Sequence, residues 1–532
     1  MALAGDQHDV AGRGFGQGVG VGGPPVADLV ATLDAPASVL PGETFDYEVS
    51  LQASNGALQD VAATLTLPDT VTIGAISDGG TAAGATVTWP VAATLAAGAT
   101  IAYSVSVSAP SVGPLAAGLE ATTATNEAGA GNNADTARTV LGFEALATLR
   151  GEGAGDGFGF VADEIGDITG DGVRDFIVGA PGNDGAGTDA GRAYVYSGAG
   201  ATLLFTVSGQ AAGEFMGWSV AGAGDVDGDG TADFAVGGPN SGPGIVRVYS
   251  GADGALLLDL DGPAPGSLFG KVVAGVGDVN GDGRDDLLVG AEQAGGGAGE
   301  ARVLSGMDGS VIRTHGSPGI SNYGFGVGAL GDVSGDGIPD YAIGGGVGAT
   351  GRVDVCSGAD GALLYTVAAV ATSVQLGFIW IDAVGDVDGD AIPDFFAADI
   401  NDSNNRGRGF LVSGADGATI RTFRGEQGSE FFGIARHAGA DADGDGFADL
   451  FIAGYHNGEG AANGGKAYVY SGATGALLRT MTSSASNETI GYDAAQLGDV
   501  DGDGLADYLL TGDIETTSSR GVAYVVRGTP LP

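Results

Sequence analysis

A nine-residue string of the form Asp-x-(Asp/Asn/Ser/Thr)-Gly-Asp-(Gly/Ala)-x-x-Asp starts at Asp167, Asp225, Asp278, Asp332, Asp386, Asp441 and Asp499. Aspartate is short, so carboxylates at alternate positions of a tightly turned backbone can converge on one centre. Ca²⁺ takes six to eight hard oxygen ligands, which is the donor set such a string supplies. The expected ligands are the side chains at positions 1, 3, 5 and 9 and the backbone carbonyl at position 7.

In order along the chain, the first loop offers Asp167, Thr169, Asp171, the carbonyl of Val173, and Asp175. The second offers Asp225, Asp227, Asp229, Thr231 and Asp233; the third Asp278, Asn280, Asp282, Arg284 and Asp286. The fourth offers Asp332, Ser334, Asp336, Ile338 and Asp340; the fifth Asp386, Asp388, Asp390, Ile392 and Asp394. The sixth offers Asp441, Asp443, Asp445, Phe447 and Asp449; the seventh Asp499, Asp501, Asp503, Leu505 and Asp507. Up to seven Ca²⁺ are therefore expected. Asn280 keeps a carbonyl ligand, whereas Thr169 and Ser334 offer a hydroxyl, so loops one and four should bind more weakly. Ala391 stands where the other six loops have Gly. A left-handed residue there would cost roughly 1 kcal/mol. The string is shorter than an EF-hand loop and lacks its bidentate Glu at position 12.

The elements that position these loops repeat with them. The intervals between first aspartates are 58, 53, 54, 54, 55 and 58 residues, a period that indicates a solenoid, propeller or array. Each unit begins with an apolar residue and Gly, such as Phe158-Gly159, Phe269-Gly270 or Phe432-Gly433. A short apolar strand, the Asp loop and a strongly apolar strand follow. A third strand then leads to a Ser-Gly hairpin signal and a fourth strand. Four antiparallel strands make one propeller blade. The last unit ends after three strands, at 523–527, and a spare strand of fourth-strand type lies at 145–150. Pairing the two would close a seven-bladed β-propeller spanning 143–532 and leave no open sheet edge.

Residues 26–141 alternate apolar and polar positions at period two, with turn clusters between the segments. About seven such strands indicate an immunoglobulin-like β-sandwich. The fold class is thus all-β, a seven-bladed β-propeller with a preceding immunoglobulin-like β-sandwich. Residues 1–25 are Gly-rich and read as a disordered arm.

Composition narrows the function. The chain has 532 residues, 104 of them Gly, with 66 acidic against 20 basic residues and a net charge of −46. Nucleic-acid binding needs clustered Lys and Arg, so that partner is excluded. The single cysteine, Cys356, permits no intramolecular disulfide and reads as a packed thiol. No apolar run reaches the ~20 residues of a membrane helix, and no intact signal peptide is visible in the first residues.

Phe158-Gly159, the loop 167–175 and Gly179-Ala-Pro181 together resemble the FG-GAP repeat family, whose best-known member is the integrin α-subunit headpiece. The resemblance covers about 390 residues, and the close of the preceding domain, 125–135, resembles cell-adhesion-related sandwich repeats of bacterial surface proteins. It implies Ca²⁺ in the loops of one propeller face and a protein or glycan ligand on the opposite face. Ca²⁺-type loops in every blade and a domain ahead of the propeller suit a secreted or cell-surface protein of bacterial type.

The loops approaching the third strands are the candidate partner face, with Arg406, Arg408, Tyr455 and His456 as the side chains to test. His8, His315, His437 and His456 form no metal-ligand or triad spacing, and no nucleophile elbow or phosphate loop is present. The expected function is therefore a non-catalytic, calcium-binding adhesion or binding module. The alternatives are a secreted propeller hydrolase or lyase acting on polysaccharide, with groups gathered at the central channel, and a purely structural surface component. The extracellular setting is inferred from weak sites suited to millimolar Ca²⁺ and from the domain types.

Overall fold

The computed structural model describes residues 26–127, 129–347, 350–369, 375–377, 381–438, 440–512 and 519–530. The arm expected at 1–25 lies outside the described residues. The protein is all-β. The two helical segments, Ala294–Gly297 and Asp402–Asn405, are four residues each, and no helix among the described residues is long and apolar enough to cross a membrane.

Strands between Asp28 and Leu141 form two sheets over one shared core that includes Leu29, Tyr47, Leu51, Leu65 and Leu119. The alternation seen in the sequence is the alternation of burial. Along Thr44–Ser54, Phe45, Tyr47, Val49, Leu51 and Ala53 face the core and the residues between them face outward. A strand with one wet face produces that period of two.

From Ala145 onward the chain forms seven four-stranded antiparallel sheets. Their second strands, such as Phe176–Ala180 and Asp286–Ala291, are buried at every residue. They are continuous apolar runs because a neighbouring sheet covers each face. The first strand of each sheet packs against the first strand of the next, and Ala494–Gly498 packs against Val161–Glu164, so the series returns on itself. Parallel bridges also stitch one sheet to the next, for example Gly244 to Phe269 and Gly465 to Ile490. At the two ends of the series, Ala145–Arg150 lies antiparallel to Val522–Val526, and Phe158 bridges to Gly521.

The N-terminal sheets dock on the sixth of these seven sheets. The N–H of Thr480 donates to the carbonyl of Ser111 at 3.1 Å, and the N–H of Gly113 to Oγ1 of Thr480 at 3.3 Å. Arg138 reaches Glu459 at 3.9 Å, beside the buried Lys466, which is also paired with Glu426. In Leu203–Ser208, an equivalent outer strand, only Val207 is buried; in Leu477–Thr482 the last four residues all are.

Candidate metal centres

Each Asp string is the hairpin turn between the first and second strands of its sheet. The aspartate at position 1 organises it. Its Oδ1 accepts the N–H of position 4 at 2.5–2.8 Å, and its Oδ2 the N–H of position 6 at 2.8–3.0 Å, in all seven loops. In the first loop these contacts, the Gly172 N–H foremost, hold the Asp167 carboxyl below the ordinary carboxylate range. Position 6 has φ between 84° and 93° wherever it is Gly, and Ala391 adopts φ 70° in the fifth loop. That alanine therefore sits in the left-handed region that Cβ disfavours.

The aspartate at position 9 opens the second strand and is fully buried in every loop: Asp175, Asp233, Asp286, Asp340, Asp394, Asp449 and Asp507. Its Oδ2 accepts the N–H of position 2 at 2.7–3.0 Å. Its Oδ1 accepts the N–H of the glycine after the third strand, from Gly198 in the first sheet to Gly528 in the last, at 2.6–3.1 Å. Burial foremost, with help from neighbouring loop carboxylates, pushes Asp233, Asp286, Asp394 and Asp449 up to about 6. Asp175, Asp340 and Asp507 move in the same direction, again chiefly through burial.

Four loops bring three carboxylates to within 4.8 Å of one another: Asp225, Asp227 and Asp229; Asp386, Asp388 and Asp394; Asp441, Asp443 and Asp449; Asp499, Asp501 and Asp507. These are the four strings with Asp at position 3. With Thr169, Asn280 or Ser334 at that position, the other loops form no such grouping among the described residues. Asp171, Asp282, Asp336, Asp390, Asp445 and Asp503, at position 5, accept the N–H of position 7 at 2.8–3.0 Å. That contact places Val173, Arg284, Ile338, Ile392, Phe447 and Leu505 at the rim of their turns; Thr231 does the same through Asp229 at 2.7 Å. The donor set is oxygen only and anionic, which fits a hard divalent cation and not a soft one.

The seventh loop holds a contact that its sequence did not suggest. Arg527 places Nη2 2.8 Å from Oδ2 of Asp501, so a guanidinium already neutralises part of that cluster.

The candidate partner residues divide. Arg408 is buried at 5 % exposure, with Nη2 2.8 Å from Oδ2 of Asp402, so its charge is spent within the fold. Arg406 donates through Nε to the carbonyl of Gly425. Tyr455 and His456 come together, with ring centroids 4.3 Å apart, and Tyr455 also packs on Phe431 at 5.2 Å and Tyr492 at 4.9 Å. Cys356 is buried and its thiol is pushed up to about 12, burial being the main cause, so it is a packed and unreactive thiol.

Residues 164–196, 216–262 and 269–304, which hold the first three Asp loops, match the FG-GAP repeat family. The chain carries FG-GAP repeats. It is 32% identical over 189 residues to integrin alpha-4 of Xenopus laevis, covering 32% of this chain and 18% of that one. It is 36% identical over 168 residues to integrin alpha-IIb of Homo sapiens, covering 28% and 16%. Integrin alpha-PS5 of Drosophila melanogaster is 34% identical over 168 residues, with the same shares of 28% and 16%. The chain thus spans less than one fifth of the length of these relatives. The family match falls on the first three Asp loops, and one of the four carboxylate groupings, that of Asp225, Asp227 and Asp229, lies within it.

Proposed function

We propose that this protein is a calcium-binding adhesion or ligand-binding module. In this reading residues 143–532 are a seven-bladed FG-GAP β-propeller closed by the strand 145–150, and residues 26–141 are an immunoglobulin-like sandwich fixed to its rim. Up to seven Ca²⁺ sit in the loops of one face. A protein or glycan ligand binds the opposite face, outside the cell or at its surface. One observation carries the reading: the same oxygen-donor turn occurs once in each of seven sheets whose first strands form a closed series. The similarity to integrin α chains supports the binding role.

A cation in each loop neutralises carboxylates that otherwise repel one another, so it stabilises the turn joining two strands of one sheet. The test is a melting curve in millimolar Ca²⁺ and again in chelator, with metal counting by mass spectrometry. A large Ca²⁺-dependent rise with close to seven ions per chain is the expected result. No shift and no bound metal would leave the loops as plain turns and remove the reading.

A catalytic reading, a hydrolase or lyase, rests on one further observation. Asp163, Glu164, Asp382 and Asp493 line the cavity of about 400 Å³ enclosed by the first strands. Burial first, then the charges of Glu164, Asp382 and Asp493, push Asp163 well above the ordinary carboxylate range, as a general acid requires. Turnover of any polysaccharide that is lost in Asp163→Asn with ligand binding intact would favour this reading over the first.

A further inference from the structure

A second cavity, of about 360 Å³, opens where the first strands begin, at the end of the channel away from the Asp loops. Six aromatic rings line it: Phe160, Trp218, Phe325, Phe431, Tyr455 and Tyr492. Phe160, Trp218, Phe325 and Tyr492 each follow the glycine that opens their repeat. The same position is Lys271 in the third repeat and Ile434 in the sixth, so packing of the sheets does not demand a ring there.

Five of the rings touch in sequence. Trp218 packs on Phe160 at 4.7 Å, Phe160 on Tyr492 at 5.6 Å, Tyr492 on Tyr455 at 4.9 Å and Tyr455 on Phe431 at 5.2 Å. All but Tyr455 keep part of their surface open. Polar groups interrupt this arc. Asn401 and Asp493 line the same cavity. Asp493 is held in place by the N–H groups of Ala162 at 2.9 Å and Ala494 at 3.0 Å.

We infer that this cavity binds a neutral glycan, one or two sugar rings stacking on the aromatic arc while hydroxyls meet Asp493 and Asn401. The inference rests on the reading that the face opposite the Asp loops is the binding face, and it names the class of ligand. Charge decides against the other occupants. An anion would approach a chain of net charge −46 and meet Asp493 at the wall. A cation would meet the ammonium of Lys271, which lines the same wall with Nζ 4.4 Å from the centroid of Phe325 and is paired with Glu292 at 2.6 Å. A pyranose has apolar C–H faces for the rings and hydroxyl donors for the carboxylate. The cavity lies within the size range of small-ligand pockets, about 300–1,000 Å³.

The experiment uses the full chain in Ca²⁺, titrated with neutral hexasaccharides of glucose, mannose and galactose and followed by tryptophan fluorescence and calorimetry. Saturable binding to one of them, weakened at least tenfold in Trp218→Ala and in Tyr492→Ala but retained in Trp218→Phe, is the expected result. Melting curves establish that each variant is folded. Absence of saturable binding to all three sugars overturns the inference, as does undiminished binding in both alanine variants. If no sugar binds but a protein ligand does, and Trp218→Ala releases it, the glycan inference falls while the binding-face reading stands.

Discussion

Gly251 donates its N–H to Oδ1 of Asp233 at 2.9 Å, joining the turn after a third strand to the base of an Asp loop. Oδ2 of the same buried carboxylate takes the N–H groups of Val226 at 2.8 Å and Asp227 at 3.2 Å. A Cβ on Gly251 would lie 1.9 Å from the carbonyl of Ala232, so the two backbones approach closely to make this contact. Position 9 is therefore a fold anchor in its own right. Asp233→Ala orphans three N–H groups, each worth about 1–3 kcal/mol when buried and unsatisfied. The expected outcome is a lower melting temperature in Ca²⁺ and in chelator alike, and Gly251→Ala should act in the same direction. A fall confined to Ca²⁺ would show the residue to be a ligand only.

Asp388 behaves differently because it is exposed and accepts the backbone N–H of Asp390 at 3.2 Å. Its charge adds to the burial that pushes Asp394 up to about 6. Asp388→Ala should remove close to one ion from the metal count and lower the melting temperature in Ca²⁺. In chelator the variant should match the parent or slightly exceed it, since a repulsion has gone. Equal loss in both conditions would deny Asp388 a metal role.

Ala391 at φ 70° supplies a test of the fifth loop's backbone. Ala391→Gly relieves about 1–2 kcal/mol of left-handed strain and gives back about 0.5–1 kcal/mol through the looser unfolded chain. The net expectation is a gain of up to about 1.5 kcal/mol, read as a small rise in melting temperature in chelator. A fall would mean that the Cβ makes contacts worth more than the strain.

His315 gives the fold a pH dependence separate from the metal loops. Its Nε2 lies 2.8 Å from the hydroxyl of Tyr341, and burial foremost, then the charge of Arg313, holds its pKa below 6.5 against the opposing pull of Asp354. The folded state therefore keeps the ring neutral while the unfolded chain protonates it near its ordinary value. Stability from this site is complete above pH 6.5 and is lost as pH falls from there toward the folded pKa. Melting curves between pH 8 and 5 should show this slope, and His315→Gln should flatten it. An unchanged slope in the variant would assign the effect elsewhere.

The repeat architecture was legible because one donor set at a near-constant interval encodes both a turn and its place in a sheet. The burial alternation of Thr44–Ser54 was legible for the same kind of reason, since period two is a local property. Partnerships made across the fold were not. Asp233 is visible in the string, but the use of its second oxygen by Gly251 depends on a turn that reads in sequence only as a hairpin signal. Arg408 looked like a loop cation because its partner Asp402 lies in a segment that reads as open turn; folded, the two are both buried. Arg527 against Asp501 and Thr480 against Ser111 left no local pattern at all.

The contact of Thr480 with Ser111 changes what truncation should do. The strand Ala145–Arg150 supplies the pairing partner of Val522–Val526, and Phe143 packs on Tyr524 at 5.3 Å, so the chain just after residue 141 belongs structurally with the C-terminal sheets. Deleting 1–150 strips one strand from the sheet that holds both ends of the series and exposes the row of N–H and C=O groups on Val522–Val526. Deleting 1–141 spares that strand but uncovers the edge of Leu477–Thr482, including the buried Met481, and takes Arg138 away from Glu459. The shorter deletion should therefore fold, melt somewhat lower than the full chain and self-associate with rising concentration through the bared edge. The longer one should lose most of its cooperative transition. Calorimetry together with light scattering separates the two, and equal behaviour of both truncations would mean that the strand 145–150 does not hold the series closed.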